Sequence, residues 1–406
     1  MNNITIIGIG RLGLGLGLIL EKIGYNVLGI DKNKDYVEQL NNKTFLTDEP
    51  EYNTLLKESK NFKASSDLKY GLEHSQFIFI LVQTPNGGGN RFYDHNILSN
   101  LLSNISDFNP INKHFIICAT IMPKYIDEIG NFLLNINPLS NDNNNTLSYN
   151  PEFVAQGEII KGYKNPDIIL LGTYDKDVKK KIEEISLKII KLNKKKHKDE
   201  LKRIILEKEE DIRLLKQYFD NFDNIENNNN NYDDLLNKQY NFKIDSMKTP
   251  KLCVLTPLEA EIVKISLNGY ITTKLSFANM ISDLCDNLGA KKNIVLEAIG
   301  SDSRIGNSYF KPGYSYGGPC FPRDTKALNL LVKQSNLNND LLEGTTNYNE
   351  FHIDYQTKQL LDCNLNNYII ENVCFKENNP VSIIEESAKL KIGLNLIKCG
   401  KKVTIK

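Results

Sequence analysis

The sequence has no net charge, no long apolar run and no leader-like N-terminus, and each absence excludes a class of protein. Fifty basic residues balance fifty acidic ones, which argues against a nucleic-acid-binding protein held by a general positive field. No apolar run reaches the roughly 18–20 residues that a membrane span needs; the best candidate, residues 12–20, is short and contains three glycines. The N-terminus lacks the features of a signal peptide, so we expect a cytoplasmic protein without membrane association.

Metal sites and disulfides are equally unsupported by the sequence. The seven cysteines are odd in number and include no Cys-x-x-Cys, which favours reduced thiols over a disulfide framework or a zinc site. The five histidines show no metal-ligand spacing, so no metal is expected. With 406 residues, 40% hydrophobic and 25% charged, the chain is typical of a globular protein with two or three domains.

The first half of the chain alternates short apolar runs with helical patterns. Predicted strands are residues 4–7, 26–30, 77–82, 115–119 and 168–172, and predicted helices include 12–23, 97–105 and 126–134. Continuous apolar strands between helices are typical of a parallel sheet covered on both faces. The pattern predicts an α/β fold that begins with a Rossmann-like, doubly wound parallel sheet at residues 1–192.

The composition changes at residues 193–250. Lysine and glutamate dominate first, and an asparagine run follows at 227–231. Sparse apolar residues and repeated polar ones are typical of a segment without a packed core. We interpret residues 193–250 as a low-complexity insertion.

The remainder of the chain divides into two parts. Residues 251–345 contain a long helical pattern from 256 to 288, followed by shorter helices and a glycine-rich loop, and predict a central helical domain. Residues 346–406 end in a strand, helix and strand at 368–373, 382–398 and 402–405. That final unit is short for an independent domain, so we interpret it as a truncated C-terminal α/β domain.

The first motif with a chemical meaning is Gly8-Ile9-Gly10-Arg11-Leu12-Gly13, between a predicted strand and helix. Such glycines allow a tight turn and a close approach of a pyrophosphate to the helix N-terminus. Asp31 ends the second predicted strand, where a carboxylate accepts the ribose hydroxyls of NAD and repels the 2′-phosphate of NADP. The alternative is a glycine-rich helix start without a ligand.

A second motif, Tyr314 to Asp324, carries a cysteine where a glycine-rich loop meets a predicted helix. A helix N-terminus lowers the pKa of a thiol, so Cys320 is expected to be an available thiolate nucleophile. Asp324 would share its helix face. Isolated cysteines are usually small buried hydrophobes, and we interpret Cys118 and Cys285 in that way.

Two further segments carry candidate groups with less specific patterns. Lys264 and Asn268 are four residues apart on the long helix, so both could point at one oxyanion. Glu152 follows Asn150-Pro151 in a turn and could be a general base. The alternatives are a solvated helix lysine and an exposed turn carboxylate.

Occurring in this order, the four motifs resemble the UDP-glucose/GDP-mannose dehydrogenase family. Further short matches support the resemblance: Val82-Gln83-Thr84-Pro85, Ala119-Thr120, Asn150-Pro151-Glu152-Phe153, Asp302-Ser303-Arg304-Ile305-Gly306, Gly317-Gly318-Pro319-Cys320, Phe375-Lys376 and Glu386-Ser387. The resemblance implies an NAD-dependent, four-electron oxidation of C6 of a nucleotide sugar. Cys320 would carry first a thiohemiacetal and then a thioester, which water hydrolyses to the carboxylate.

The resemblance also implies residue roles. Catalytic roles fall on Cys320 as nucleophile, Lys264 and Asn268 at the oxyanion, Asp324 and Thr120 at the water, and Glu152 in hydrolysis. The implied cofactor-binding residues are Gly8, Gly10, Leu12, Gly13, Asp31, Thr84, Pro85, Thr120 and Gln156. The implied substrate-binding residues are Phe153, Lys264, Asn268, Arg304, Tyr314, Tyr316, Gly317 and Lys376. Arg304 would reach the substrate of a neighbouring subunit, which implies a homodimer through the central helix.

The chain departs from the family pattern at three positions. Arg323 replaces the lysine that usually follows the nucleophile, Gln156 replaces a glutamate and Glu385 replaces an arginine of the last domain. The expected reaction is UDP-glucose to UDP-glucuronate, for polysaccharide biosynthesis, with GDP-mannose as the rival substrate. Two other interpretations are open: a two-electron hydroxyacid dehydrogenase, and a catalytically impaired NAD-binding remnant.

Overall fold

An eight-stranded sheet is the largest element of the computed structural model, which describes residues 2–136, 143–194, 250–376 and 379–406. Its strands are β1 Asn3–Ile7, β2 Asn26–Ile30, β3 Phe62–Ser65, β4 Phe77–Ile80, β5 His114–Ile117, β6 Thr146–Tyr149, β7 Ile168–Gly172 and β8 Lys251–Leu255. The strand order is β3-β2-β1-β4-β5-β6-β7-β8. Nearly all of the predicted insertion at 193–250 lies outside the described residues.

All neighbouring strands are parallel except β6 and β7, which pair antiparallel at Tyr149 and Gly172. The order reverses between β1 and β4, which makes the crevice at their carboxyl ends a topological switch point. Buried side chains form one hydrophobic cluster on each face of the sheet. The predicted α/β, doubly wound class is confirmed.

Helices cover both faces of this sheet. They are α1 Arg11–Lys22, α2 Lys34–Asn41, α3 Tyr52–Glu58, α4 Leu68–His74, α5 Asn96–Ser106, α6 Asn131–Leu133, α7 Ile159–Lys164 and α8, described over 176–194. The helix predicted at 126–134 is instead a π-helix, Tyr125–Gly130, that leads into the single turn of α6. Its first amides, those of Lys124 and Ile126, donate to the buried carboxylate of Glu261.

Strand β8 extends the sheet beyond the boundary that we predicted at residue 250. It pairs in parallel with β7 along its whole length, although its residues fall in the segment assigned to the central domain. Its side chains are partly exposed because it lies at the sheet edge, so it shows no buried apolar run. The central helix begins two residues later and is therefore anchored directly to the sheet.

The central helix, α9, covers Pro257–Leu288. Thr256 and Glu259 form a capping box at its start, and Gly289, at φ +71°, ends it. Three further helices follow: α10 Lys292–Gly300, α11 Phe321–Gln334 and α12 Asp340–Asp362. Small buried residues of α9, including Gly269, Thr272 and Ala278, let these helices approach closely.

The C-terminal unit is a parallel strand pair, β9 Asn367–Ile370 and β10 Lys402–Ile405, joined by α13 Ala388–Lys398. The helix begins six residues later than the predicted 382 because the Ser387 hydroxyl accepts the amide of Leu390 and caps it. The unit packs against Ile353 of α12. No helix in the described part of the chain combines the length and apolar character required to cross a bilayer.

Candidate active site

Predicted site residues follow the carboxyl ends of five parallel strands. Gly8 follows β1, Asp31 follows β2, Thr84 follows β4, Thr120 follows β5 and Glu152 follows β6. Carboxyl ends of parallel strands meet at one edge of a sheet, so these residues share the edge that contains the switch point. The fold therefore brings these residues together because each of them follows a parallel strand.

The glycine motif has the geometry of a dinucleotide cradle. Gly8 lies at φ +87°, and a Cβ on Gly13 would stand 2.0 Å from the Gly8 carbonyl oxygen, so neither position accepts a side chain. A Cβ on Gly10 would meet nothing within 4 Å, which leaves open space in front of α1. Gly10 is also the N-cap of α1 and provides no side-chain cap. The first amides of α1 are therefore available to an anionic group.

Neighbouring side chains hold this cradle in place. The Tyr36 hydroxyl donates to the carbonyl of Ile9 at 2.8 Å, and the Tyr52 hydroxyl donates to that of Arg11 at 2.7 Å. Asp31 directly follows β2 and accepts only a local hydrogen bond, at 3.1 Å from the Asn33 amide, among those found in the described chain. Its carboxylate therefore keeps acceptor capacity for ribose hydroxyls, and the residues present fit NAD. Leu12 is half-buried behind the turn.

Cys320 is the N-cap of α11 and is exposed to solvent. The expectation of a lowered pKa is wrong: protein atoms around the sulfur displace water and raise the pKa of the thiol, and the charge of Asp324 raises it further. The charges of Lys264 and Arg323 act in the opposite direction but do not prevail. An exposed residue can still be desolvated in this way when it lies in a concave part of the surface.

Asp324, one turn after Cys320, is 1% exposed. Its Oδ2 accepts the side-chain amide of Asn268 at 2.6 Å, and its Oδ1 accepts the hydroxyl of Tyr93. Tyr93 belongs to the loop between β4 and α5, whereas Asn268 belongs to the central helix. Asp324 thus joins α11, the helix that begins at Cys320, to both the sheet domain and the central helix.

Arg323 makes a second link to the sheet domain. Its Nη1 lies 3.4 Å from the carbonyl oxygen of Thr84, and its guanidinium carbon lies 4.4 Å from the ring centroid of Tyr93. The Thr84 hydroxyl donates in turn to the carbonyl of Thr120 at 2.8 Å. Two predicted cofactor residues, Thr84 and Thr120, are therefore connected to the turn that bears Cys320.

Lys264 lies on the same face of the central helix as Asn268, and its side chain is buried. Its ammonium donates to the backbone carbonyl of Glu152 and lies 4.5 Å from the ring centroid of Phe153. The Glu152 carboxylate accepts the amide of Val154 at 3.1 Å. Lys264, Glu152 and Cys320 are close enough for both charges to act on the pKa of the thiol.

Three predicted substrate residues, Tyr314, Tyr316 and Gly317, belong to the loop before Cys320. Tyr314 is exposed, whereas Tyr316 is buried, with its backbone bonded to Asn349. A Cβ on Gly317 would lie 2.2 Å from the carbonyl oxygen of Glu386, so the C-terminal unit packs directly on this loop. Lys376 forms an ion pair with Glu158 at 2.7 Å and ties that unit to the sheet domain.

Gln156 and Arg304 make contacts outside the cluster around Cys320. Gln156, a predicted cofactor-binding residue, accepts Nη1 of Arg11 at 2.8 Å and lies beside the glycine turn. Arg304 is 85% exposed and pairs with Asp302 of its own loop. Within the described residues, Arg304 makes no hydrogen bond to the cluster around Cys320. Pro85 follows Thr84, and its carbonyl accepts the amide of Asp94 at 2.8 Å.

Sequence reasoning missed Tyr93 and His95. Tyr93 bonds Asp324 across 231 residues of chain, and no local pattern signals such a contact. The Nε2 atom of His95 lies 3.2 Å from the amide of Met122, just after Thr120, and burial lowers the pKa of His95 to about 4. Their position in the loop after Thr84-Pro85 was the one available signal.

Comparisons with known proteins agree with this geometry. Residues 2–190 match the NAD binding domain of the UDP-glucose/GDP-mannose dehydrogenase family, and residues 258–351 match the central domain of the same family. The chain is 25% identical over 353 residues to UDP-glucose 6-dehydrogenase of Rickettsia bellii (strain RML369-C), covering 86% of this chain and 67% of the relative. It is 25% identical over 332 residues to the Rhizobium meliloti (strain 1021) UDP-glucose 6-dehydrogenase, and the match covers 80% of this chain and 62% of that relative.

Solved structures show the same fold. A UDP-glucose dehydrogenase from Pyrobaculum islandicum superposes with a TM-score of 0.72 at 20% identity, covering 100% of this chain and 81% of that one. A UDP-D-ManNAc dehydrogenase from Pyrococcus horikoshii gives a TM-score of 0.70 at 18% identity, covering 99% and 82%. The matched region spans about two thirds of the length of the curated relatives, between 61% and 69%.

Proposed function

The chain belongs to the UDP-glucose/GDP-mannose dehydrogenase family, and we propose that it oxidises C6 of a nucleotide sugar, UDP-glucose, to the carboxylate. The cofactor of the family's N-terminal domain is NAD, which, when bound, accepts the hydride removed in each of two oxidations. The observation that carries the proposal is the position of Cys320, an exposed thiol whose helix is bonded to Thr84 and Asn268 through Arg323 and Asp324.

The proposed chemistry uses Cys320 to hold the substrate between the oxidations. The first oxidation removes a hydride and the hydroxyl proton and leaves an aldehyde. The thiol of Cys320 adds to the aldehyde carbon, and the proton of the thiol passes to the aldehyde oxygen, giving a thiohemiacetal. The second oxidation removes a hydride and the hydroxyl proton and leaves a thioester. Water adds, the C–S bond breaks, and the carboxylate and the thiol remain with the release of one proton.

The surrounding groups support these steps in different ways. The ammonium of Lys264 has three donors and uses one on the carbonyl of Glu152, so others remain for an oxyanion. Asn268 and Tyr93 each donate to Asp324, which fixes that carboxylate beside the thiol. We propose that Asp324 and Thr120 orient the attacking water and that Glu152 assists hydrolysis.

The stoichiometry of NADH formation separates the candidate functions experimentally. A panel of nucleotide sugars is incubated with NAD, and the NADH formed per sugar is counted. Two NADH per sugar are expected for UDP-glucose; one NADH would favour a two-electron dehydrogenase, and GDP-mannose is the rival substrate in the panel. Retained NAD binding without turnover of any nucleotide sugar would favour the impaired NAD-binding remnant.

The variant Cys320→Ser tests the covalent route directly. We expect it to stop before the carboxylate, because a serine hydroxyl is a weaker nucleophile than a thiol and cannot form the thioester that water hydrolyses. Cys363→Ser is the matched control, since Cys363 is also an exposed thiol but lies at the end of α12. Normal acid production by Cys320→Ser would contradict the proposal.

We also propose that the protein is a homodimer formed through the central helix. Tyr270, Phe277 and Leu284 follow one another at intervals of seven on α9, and all three are exposed, Tyr270 by 70%. Such spacing places them on one face, and an exposed apolar stripe of this kind favours a second copy of the chain. The exposed Arg304, which pairs with Asp302 of its own loop, would exchange that partner for the substrate of the neighbouring subunit. The variant Leu284→Asp should give monomers in sedimentation; an unchanged mass would contradict this interface.

The thiols support a proposal for the compartment. All seven cysteines are free, which supports a reducing environment such as the cytoplasm.

A further inference from the structure

The loop that leads to Cys320 is held by side chains that its own sequence does not contain. Asn279 of α9 accepts the amide of Gly313 at 3.3 Å and donates to the carbonyl of Tyr314 at 3.3 Å. Asn349 of α12 accepts the amide of Tyr316 at 2.8 Å and donates to its carbonyl at 3.1 Å. The polar backbone groups of the loop are thus bound to two helices behind it.

A third side chain that holds the loop, His352 of α12, also contacts a buried carboxylate. Its Nε2 lies 2.9 Å from the carbonyl oxygen of Gly313, and its Nδ1 lies 2.7 Å from Oδ2 of Asp283. The two residues are 2% and 4% exposed. The Gly313 carbonyl also accepts Nε2 of Gln356, at 3.2 Å. The Tyr348 hydroxyl also donates to Oδ2 of Asp283, at 2.8 Å.

The hydrogen-bond partners fix the protons of this pair. A carbonyl oxygen can only accept, so Nε2 of His352 carries a hydrogen. Nδ1 faces Oδ2 of Asp283, an oxygen that already accepts the Tyr348 hydroxyl, so the hydrogen of this contact is carried by the ring. His352 is therefore an imidazolium, paired with the buried carboxylate of Asp283.

We infer that His352 is a positioning residue: paired with Asp283, its imidazolium fixes the Gly313 carbonyl and so holds the Gly313–Gly318 loop in the form that receives the nucleotide sugar. The ligand in this inference rests on the proposed function, whereas the order of the loop does not. The mechanism given above makes no use of either residue.

The energetics of buried ion pairs suggest variants that test the charge of the His352–Asp283 pair rather than its packing. Removing one partner of a buried ion pair leaves an uncompensated charge, whereas replacing both partners by neutral groups is much less costly. In His352→Gln the new amide can still donate to Gly313, but its oxygen faces the Asp283 carboxylate. In Asp283→Asn with His352→Gln, the asparagine amide can donate to that oxygen, and no buried charge is left without a partner.

The experiment measures amide hydrogen exchange at Gly313 and Tyr316 in the full chain. We expect His352→Gln to exchange at least about tenfold faster there, with the amides of α1 unchanged. The double variant should recover most of this protection. Tyr355→Phe is the matched control, since its hydroxyl bonds the Asp283 backbone carbonyl and Asn287 but not the loop, and its exchange at the loop should equal that of the wild type.

Kinetics supply the second measurement. With UDP-glucose, we expect His352→Gln to raise KM for the sugar by about tenfold while KM for NAD stays the same. If the wild type turns over no nucleotide sugar, the proposed function fails, but the exchange experiment still decides the role of His352.

Two outcomes would overturn the inference. One is unchanged exchange at Gly313 and Tyr316 in His352→Gln. The other is a double variant whose loss of protection equals the sum of the losses in His352→Gln and in Asp283→Asn, each measured alone. If His352→Gln does not fold, the imidazole ¹⁵N shifts of the wild-type chain decide instead. Both ring nitrogens of His352 should carry a hydrogen, and a ring with a hydrogen on one nitrogen alone would contradict the pairing.

Discussion

The NAD cradle and the thiol site are built in opposite ways. The cradle consists of residues 8–13 and Asp31, which are adjacent in the chain or follow neighbouring strands. The thiol site joins Cys320 and Asp324 to Tyr93, Lys264 and Asn268, which come from other segments of the chain. A site encoded in one turn can be recognised from spacing alone, whereas a site assembled across domains depends on how those domains pack.

The largest effect is expected from breaking the cradle at Gly13. In Gly13→Val the new Cβ would stand 2.0 Å from the carbonyl oxygen of Gly8, and this overpacking against backbone should cost about 3 kcal/mol or more of unfolding free energy. NAD binding, measured by titration calorimetry, should be lost.

Gly10→Ala is the matched control for that variant, since its Cβ meets nothing within 4 Å. We expect native stability in chemical denaturation, with weaker NAD binding because the methyl group enters the space in front of α1. Equal stability of Gly13→Val and the wild type would show that the turn is not constrained as described.

Asp324→Ala should break the thiol site and leave the cradle intact. It leaves the Tyr93 hydroxyl and the Asn268 amide without their acceptor, and each unpaired buried donor costs about 1–3 kcal/mol. We expect unfolding free energy to fall by about 2–4 kcal/mol and acid formation to be lost, with NAD affinity nearly unchanged. Asp340→Ala, an exposed first-turn carboxylate of α12, should change neither.

Sequence reasoning predicted the cradle because the strand, the glycine turn and the following acid are local features. It also placed Lys264 and Asn268 on one helix face. It did not find Tyr93, whose contact with Asp324 spans 231 residues. It also did not find strand β8, because the apolar residues of β8 adjoin the long helical pattern of the central helix and its pairing partner β7 lies about 80 residues earlier, at Ile168–Gly172. It gave the wrong pKa direction for Cys320 because the helix N-terminus is visible in the sequence, while desolvation by distant segments is not.

Glu261 tests the contact between the sheet domain and the central helix, because its carboxylate on the central helix accepts amides of the segment after β5. Burial raises the pKa of Glu261 to about 7, despite two backbone amides that lower it. Because its pKa is raised on folding, Glu261 stabilises the folded state at pH values below its pKa in the unfolded chain. This stabilisation is lost as the pH rises through its pKa in the folded state. From 4.5 to about 7, this amounts to about 3 kcal/mol at most.

We therefore expect unfolding free energy to fall between pH 5 and pH 8, roughly the range around the shifted value, in urea titrations of the wild type. Glu261→Gln should flatten this dependence, although it loses one acceptor for the amides of Lys124 and Ile126. Parallel pH profiles for the two proteins would assign the dependence to other groups.

The smallest expected effect concerns the reactivity of Cys320. Its pKa is raised by desolvation and by Asp324 and lowered by Lys264, so alkylation by iodoacetamide should reach half its maximal rate above the ordinary thiol value of about 8.5. Lys264→Met removes a cation and should move that midpoint higher, slowing alkylation at pH 8 by about two- to fivefold. Peptide mass spectrometry can follow Cys320 and exposed Cys363 in the same sample, which makes Cys363 an internal control. If Cys320 reacts faster than Cys363 at neutral pH, the effect of the helix N-terminus on the pKa of the thiol outweighs that of desolvation. The reactivity of Cys320 could then be predicted from its local sequence, as the cradle can.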